Sequence, residues 1–454
     1  MKSRTWMWTT ALCLFATLAI PFRLAAQDSP ALTPATPSDQ APSYKALYTF
    51  TGGADGGNPN LLGSGASLIR DREGNFYGTT LYGGDLSGCG GQGCGVVFKV
   101  DLAGNESVLH AFAGSPDASS PSAGLIRDEE GNLYGTGSGG GTAPAGGAGA
   151  VYKVDRAGNE SLLYSFTGAP DGAGPIGGVI RDREGNLYGT TSSGGYLGNG
   201  CTNGCGTVFK IDRTGKETIL HSFTGSRSGG PDGVYPETSL VRDEEGNLYG
   251  TTSFGGAYGS GVVFKLDSAG KESVLYSFTG GVDGGFPLGL VRASDGTLYG
   301  AAWQGGSGDC FGGGCGVVFK LDPQGKFAVF YSFAGLTDGW APYGTPLLFR
   351  GELYGTTFFG GSTCAFCGLV YKLDANGNET VLYNFTSADG INPYAGLLPD
   401  VRGNFYGTTS YGGDLASPAA PCNGIGCGVV FKLTLHEDCK DSEKGSEIPP
   451  AKID

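Results

Sequence analysis

The chain has 454 residues, 87 of them Gly, about 19 % against a usual ~7 %. Charged residues make up 16 % and the net charge is −14, or −17 without a leader carrying Lys2, Arg4 and Arg23, which argues against phosphate backbones and anionic lipid as partners. A hydrophobic share of 39 % excludes a disordered chain, Gly without a Gly-X-Y period excludes collagen, and three His leave little for a catalytic base or metal site.

Residues 1–26 read as a signal peptide. Lys2 and Arg4 precede an apolar run from Thr5 to Ile20, then Pro21 and a small-residue exit, Leu24-Ala25-Ala26. The run is shorter than the ~20 residues of a membrane-spanning helix, and nothing later resembles a span. Pro30, Pro34, Pro37 and Pro42 among small polar residues make 27–43 a flexible linker. The mature chain is expected to be exported, secreted or periplasmic.

From residue 44 the chain repeats. A Leu/Phe-Tyr-Gly-Thr-Thr-like segment recurs with its Tyr at Tyr77, Tyr134, Tyr188, Tyr249, Tyr299, Tyr354 and Tyr406. A Val-Val-Phe-Lys-like segment centres on Phe98, Tyr152, Phe209, Phe264, Phe319, Tyr371 and Phe431. A Leu-Tyr-Ser-Phe-like segment ends at Phe50, Phe112, Phe166, Phe223, Phe278, Phe333 and Phe385. With a short apolar run such as Leu125-Ile126-Arg127, each unit holds four β-branched or aromatic stretches bounded by Gly, Asp or Asn, which is strand chemistry with turn punctuation. Four strands per unit of 50 to 61 residues, seven times over, predict an all-β, seven-bladed β-propeller over residues 44–434.

Labelled A to D from the axis outward, the A–B and C–D turns keep their lengths. The B–C loop and the D-to-A link do not: Tyr77 to Phe98 is 21 residues, Tyr249 to Phe264 is 15 and Tyr406 to Phe431 is 25. The variable connections share one face, which is therefore the expected working face. The last unit lacks a D strand, since 14 residues beyond Phe431 stands Gly445, whereas Leu47-Tyr48-Thr49-Phe50 is a D strand without a unit. The N-terminal segment should close the ring as the outer strand of the last blade.

The unit Gly-Leu-Ile-Arg-Asp-Glu-Glu-Gly-Asn-Leu-Tyr-Gly, then Val-Val-Phe-Lys-Leu-Asp and Val-Leu-Tyr-Ser-Phe, resembles the GloVer tandem repeat of exported bacterial proteins, and more distantly NHL and kelch blades. The resemblance covers residues 44–434 and implies export. Members of that family carry varied C-terminal surface anchors. Residues 435–454 are charged, with no apolar helix or sorting signal, so a disordered tail and a free, unanchored protein are expected.

Ten Cys form close pairs in the B–C loops: Cys89/Cys94, Cys201/Cys205, Cys310/Cys315, Cys364/Cys367 and Cys422/Cys427. Two ligands per blade without a nearby His do not make a zinc site, and Cys364-Ala365-Phe366-Cys367 does not open a helix as a redox pair would. Export makes loop-stapling disulfides the expected reading, with Cys439 left over. His110 and His221 stand where other units have a D-strand Tyr and are read as packing substitutes; His436 lies in the tail.

Asp-x-x-x-Pro recurs in every D-to-A link, from Asp55, Asp117, Asp171, Asp232, Asp283, Asp338 and Asp389. Two readings stand: turns in which Asp caps backbone N–H groups, or a ring of carboxylates at the channel mouth holding Ca²⁺ or a cationic ligand. Arg70, Arg127, Arg181, Arg242 and Arg292 of the A strands are expected to pair with turn carboxylates. Aromatics interrupting the repeat on the variable loops, Trp303, Trp340, Tyr343, Phe358, Phe359 and Tyr411, are the candidate ligand-binding residues, suited to sugar rings or partner side chains. The expected function is a non-catalytic binding or cell-envelope interaction module without a required cofactor, its partner a carbohydrate or another envelope protein. The alternative is a propeller enzyme of lactonase or lyase type with a channel metal, which would need inward residues that differ between blades.

Overall fold

The computed structural model describes residues 41–60, 67–143, 147–198, 200–417, 422 and 424–435. The leader, most of the linker, His436, Cys439 and the tail lie outside them. The described strands form seven antiparallel four-stranded sheets, which is a seven-bladed β-propeller. In the first blade Ile69–Arg70, Phe76–Tyr82, Val96–Val100 and Glu106–Ala111 pair in that order as strands A to D. The link segment ahead of strand A adds a short ladder to the far end of strand B, as Gly57–Pro59 does on Thr80–Tyr82.

The two recurring aromatics are partners across blade junctions. The D-strand Phe of each blade meets the C-strand ring of the next: Phe112 on Tyr152 at 4.8 Å, Phe166 on Phe209 at 5.1 Å, Phe385 on Phe431 at 5.2 Å. Phe50 on Phe98, at 5.1 Å, completes the circle. These rings are fully buried, and each adds aromatic packing energy of about 0.5–1.5 kcal/mol to its area burial. The Gly of Tyr-Gly-Thr makes room for them. A Cβ at Gly250 would stand 2.6 Å from the Phe264 ring.

The ring closes as the missing strand requires. Ser43–Thr49 pairs antiparallel with the C strand Val429–Thr434, from Ser43 opposite Thr434 to Thr49 opposite Val429, through a bulge between Ala46 and Tyr48.

The A-strand arginines act on turn carboxylates by charge, as Arg242 does on Asp182 and Arg292 on Asp243, and several also cover rings. In the A–B turn, Asp71 already accepts bonds from the Asn75 backbone and side chain and from the Tyr77 hydroxyl, each at 2.8 Å. With those lone pairs taken, the arginine of the next blade lies over the Tyr ring: Arg127 over Tyr77 at 5.9 Å, Arg181 over Tyr134 and Arg242 over Tyr188 at 5.8 Å. They are cation–π stitches between blades.

Candidate functional site

The variable face is built on one junction repeated seven times. The residue before the Pro of Asp-x-x-x-Pro has a positive φ in every blade: Asn58 56°, Ser120 52°, Gly174 62°, Tyr235 60°, Phe286 56°, Ala341 55° and Asn392 57°. Such a backbone is costly for a side-chain-bearing residue and needs surroundings that over-determine it. Here its N–H donates to a B–C loop carbonyl of the preceding blade. Asn58 bonds Cys427, Ser120 bonds Cys94, Tyr235 bonds Cys205, Ala341 bonds Cys315 and Asn392 bonds Cys367, all at 2.8–2.9 Å. In the two blades without cysteines Ala148 and Ser260 supply the carbonyl.

The five expected disulfides are formed, Cys89–Cys94, Cys201–Cys205, Cys310–Cys315, Cys364–Cys367 and Cys422–Cys427. Each fixes the loop whose last Cys carbonyl receives the neighbour. They mark a protein of an oxidising compartment.

The seven Asp of the links are engaged one by one. Each is tied to the outermost strand of the sheet just left: Asp55 accepts from the Tyr48 hydroxyl and Asp283 from Tyr276, both at 2.9 Å, while Asp171, Asp338 and Asp389 hold Tyr164, Tyr331 and Tyr383. His110 replaces Tyr in bonding as well as in packing, meeting Asp117 at 3.2 Å, whereas His221 lies 3.5 Å from Asp232 without a hydrogen bond at Nε2. The same carboxylates cap backbone N–H groups, as Asp55 does for Thr51 at 2.8 Å. The turn reading accounts for these hydrogen bonds, which run to the strand behind and to backbone N–H groups of the link. Among the described residues no three His, Cys, Asp or Glu side chains come close enough to share a metal ion.

Five of the six candidate aromatics meet. Trp303 stacks on Tyr343 at 5.4 Å, Tyr343 meets Phe358 edge-on at 5.2 Å, Phe358 touches Phe359 at 4.6 Å, and Phe359 stacks on Trp340 at 4.3 Å. Tyr394 of the last blade stacks on Tyr343 at 4.7 Å. In the other direction Trp303 continues to Phe286, Phe254 and Tyr235 at 5.4, 5.0 and 6.1 Å. The result is one aromatic seam across the loop face of blades four to seven, each ring partly exposed. Tyr411 is not in it; it faces Tyr82 at the junction of the last and first blades. Burial raises the Tyr343 hydroxyl to about 12.

Two polar residues join the seam that sequence reasoning missed. Glu237 follows its blade's Pro, is partly buried and accepts from the Ser253 hydroxyl at 2.6 Å. Burial pushes its carboxyl up, opposed by Ser253 and by the charge of Arg227. It also lies near enough to Tyr394 to raise that phenol. Arg227 spreads its guanidinium over Tyr235 at 4.6 Å and Phe254 at 5.0 Å. The signal was present: the position after the Pro differs in nearly every blade, Asn60, Ser122, Ile176, Glu237, Leu288, Tyr343 and Tyr394, the inward divergence a site requires.

A family model of the Gloeobacter/Verrucomicrobia repeat matches residues 25–200, 87–312 and 310–443. The chain belongs to that family. No curated protein matches it in sequence. Among solved structures it is similar to the extracellular domain of a putative one-component system from B. thetaiotaomicron, at 12 % identity and a TM-score of 0.46, over 81 % of this chain and 39 % of that one. The chain thus spans about two-fifths of that protein's length. It is also similar to a gluconolactonase from Xanthomonas campestris, at 12 % identity and a TM-score of 0.41, over 87 % of this chain and 90 % of that one. No helix among the described residues is long and apolar enough to cross a membrane.

Proposed function

We propose that this chain is an exported, non-catalytic binding propeller that takes carbohydrate on its loop face, in the periplasm or outside the cell. The observation that carries the reading is the seam from Trp303 through Tyr343, Phe358 and Phe359 to Trp340. Flat rings on a polar, Gly-rich face suit the apolar faces of sugar rings, with hydroxyls met by neighbouring polar groups. Each ring is held by its neighbours, so binding freezes little side-chain freedom. The leader-like residues 1–26 and the five disulfides support export.

The test is a glycan array probed with the full chain, followed by titration calorimetry on the glycans that bind, with Trp303→Ala and Trp340→Ala as variants. The reading expects at least one glycan class to bind and each Trp loss to weaken it at least about tenfold at unchanged melting temperature. An array without binding refutes it.

A further inference from the structure

We propose that the saccharide is acidic and that Arg227 reads its carboxylate; this deepens, and rests on, the carbohydrate reading above. Arg227 sits on an insertion. From Phe223 to Asp232 the link runs nine residues, where the links from Phe166 to Asp171 and from Phe278 to Asp283 run five. The extra residues place the guanidinium flat on Tyr235 and Phe254, at the end of the seam that leads through Phe286 to Trp303.

The side chain is exposed, and no hydrogen bond or ion pair joins it to another described residue. A guanidinium oriented by two rings, near Glu237 but not hydrogen-bonded to it, is a fork of donors shaped for a carboxylate, and the ring contacts limit the entropy lost on capture. The chain as a whole repels anions at −14, so an acidic ligand must be drawn by a local cation. Glu237, partly exposed beside that cation and steadied by the buried Ser253 hydroxyl, offers a partner for a sugar hydroxyl. Burial favours the neutral form of Glu237, which eases the approach of a second carboxylate.

The full-length protein is to be titrated with oligogalacturonate and oligoguluronate, with methyl-esterified oligogalacturonate and a neutral cello-oligosaccharide as references. The expected result is that a uronate binds at least about tenfold more tightly than its ester. Arg227→Gln should erase that preference without lowering the melting temperature, and Arg227→Lys should restore part of it. Uronate and ester binding alike, neutral glycans binding while uronates do not, or a preference that survives Arg227→Gln would each overturn the inference and leave the carbohydrate reading standing. Failure of every glycan on the array would remove both.

Discussion

Five blades open their outer strand with a glutamate, Glu106, Glu160, Glu217, Glu272 and Glu379, and each has one carboxyl oxygen buried without a hydrogen-bond partner. For Glu217, burial first and the Asp171 carboxylate second push the group to about 7. The folded value lies above the unfolded one, near 4.5, so the fold prefers the neutral acid. Its contribution is fully present below pH ~4.5 and is lost as the pH rises through ~7. Those two values cost the fold about 2.5 kcal/mol per Glu between pH 5 and 8, an upper figure because the rim is wet. Carboxylates of the A–B turns act only at lower pH: burial opposes it, yet the Asn75 and Tyr77 bonds hold Asp71 down at about 2, so its stabilisation fades only below pH ~4. Thermal melts followed by circular dichroism should therefore peak between pH ~4 and 5 and fall steadily to pH 8. Glu217→Gln, which fixes the neutral form, should melt with the wild type at pH 5 and above it at pH 8. A wild-type melting temperature that is flat or rises from pH 5 to 8, or an equal gain for the variant at both, refutes the reasoning.

Gly316 has a φ of 94°, and a Cβ there would stand 2.5 Å from Pro342 Cδ across the blade junction. Gly316→Ala should cost about 2–4 kcal/mol in urea unfolding, against about 1 for Gly325→Ala, where φ is 82° and the space is open. Deleting residues 43–50 strips the outer strand from Val429–Thr434 and Phe50 from Phe98, so size-exclusion chromatography should show aggregate in place of monomer. Replacing both Cys364 and Cys367 with Ser opens a loop of sequence separation 3 and should cost no more than about 2 kcal/mol, because the bond from Asn392 goes to a backbone carbonyl.

The ring and its closure were legible because a period repeated seven times leaves a missing outer strand at one end and a spare one at the other. Depth was not legible. Asp-x-x-x-Pro spacing announces a turn and does not say which radius it occupies. The deciding clue was the Tyr or His earlier in the outer strand, seven residues before in five blades, as Tyr48 stands before Asp55 and His110 before Asp117. Loop aromatics stood out by breaking the repeat, yet their contacts cross from one blade to the next, which no intrablade spacing encodes; Tyr411 breaks the repeat equally and joins nothing in the seam. Glu237 and Arg227 leave no mark on the near-identical A strands, because the divergence lies one residue past each Pro and in one insertion.

That location follows from how the junction is held. The positive-φ residue is secured by its own N–H, and the following Pro by close contact with a glycine of the preceding loop, as Pro342 meets Gly316. Neither restraint uses the side chain before or after the Pro. Those two positions are free to change while the toroid stays intact. In the first blade the freedom serves the scaffold: Asn58 and Asn60 are fully buried, and Asn60 bonds Thr408 at 3.2 Å. In blades four, six and seven it yields Tyr235, Glu237, Tyr343 and Tyr394, partly exposed and facing the same seam. Seven equivalent backbones can in this way carry an asymmetric surface, and binding variants at these positions should separate from stability, whereas changes at the junction glycines should not.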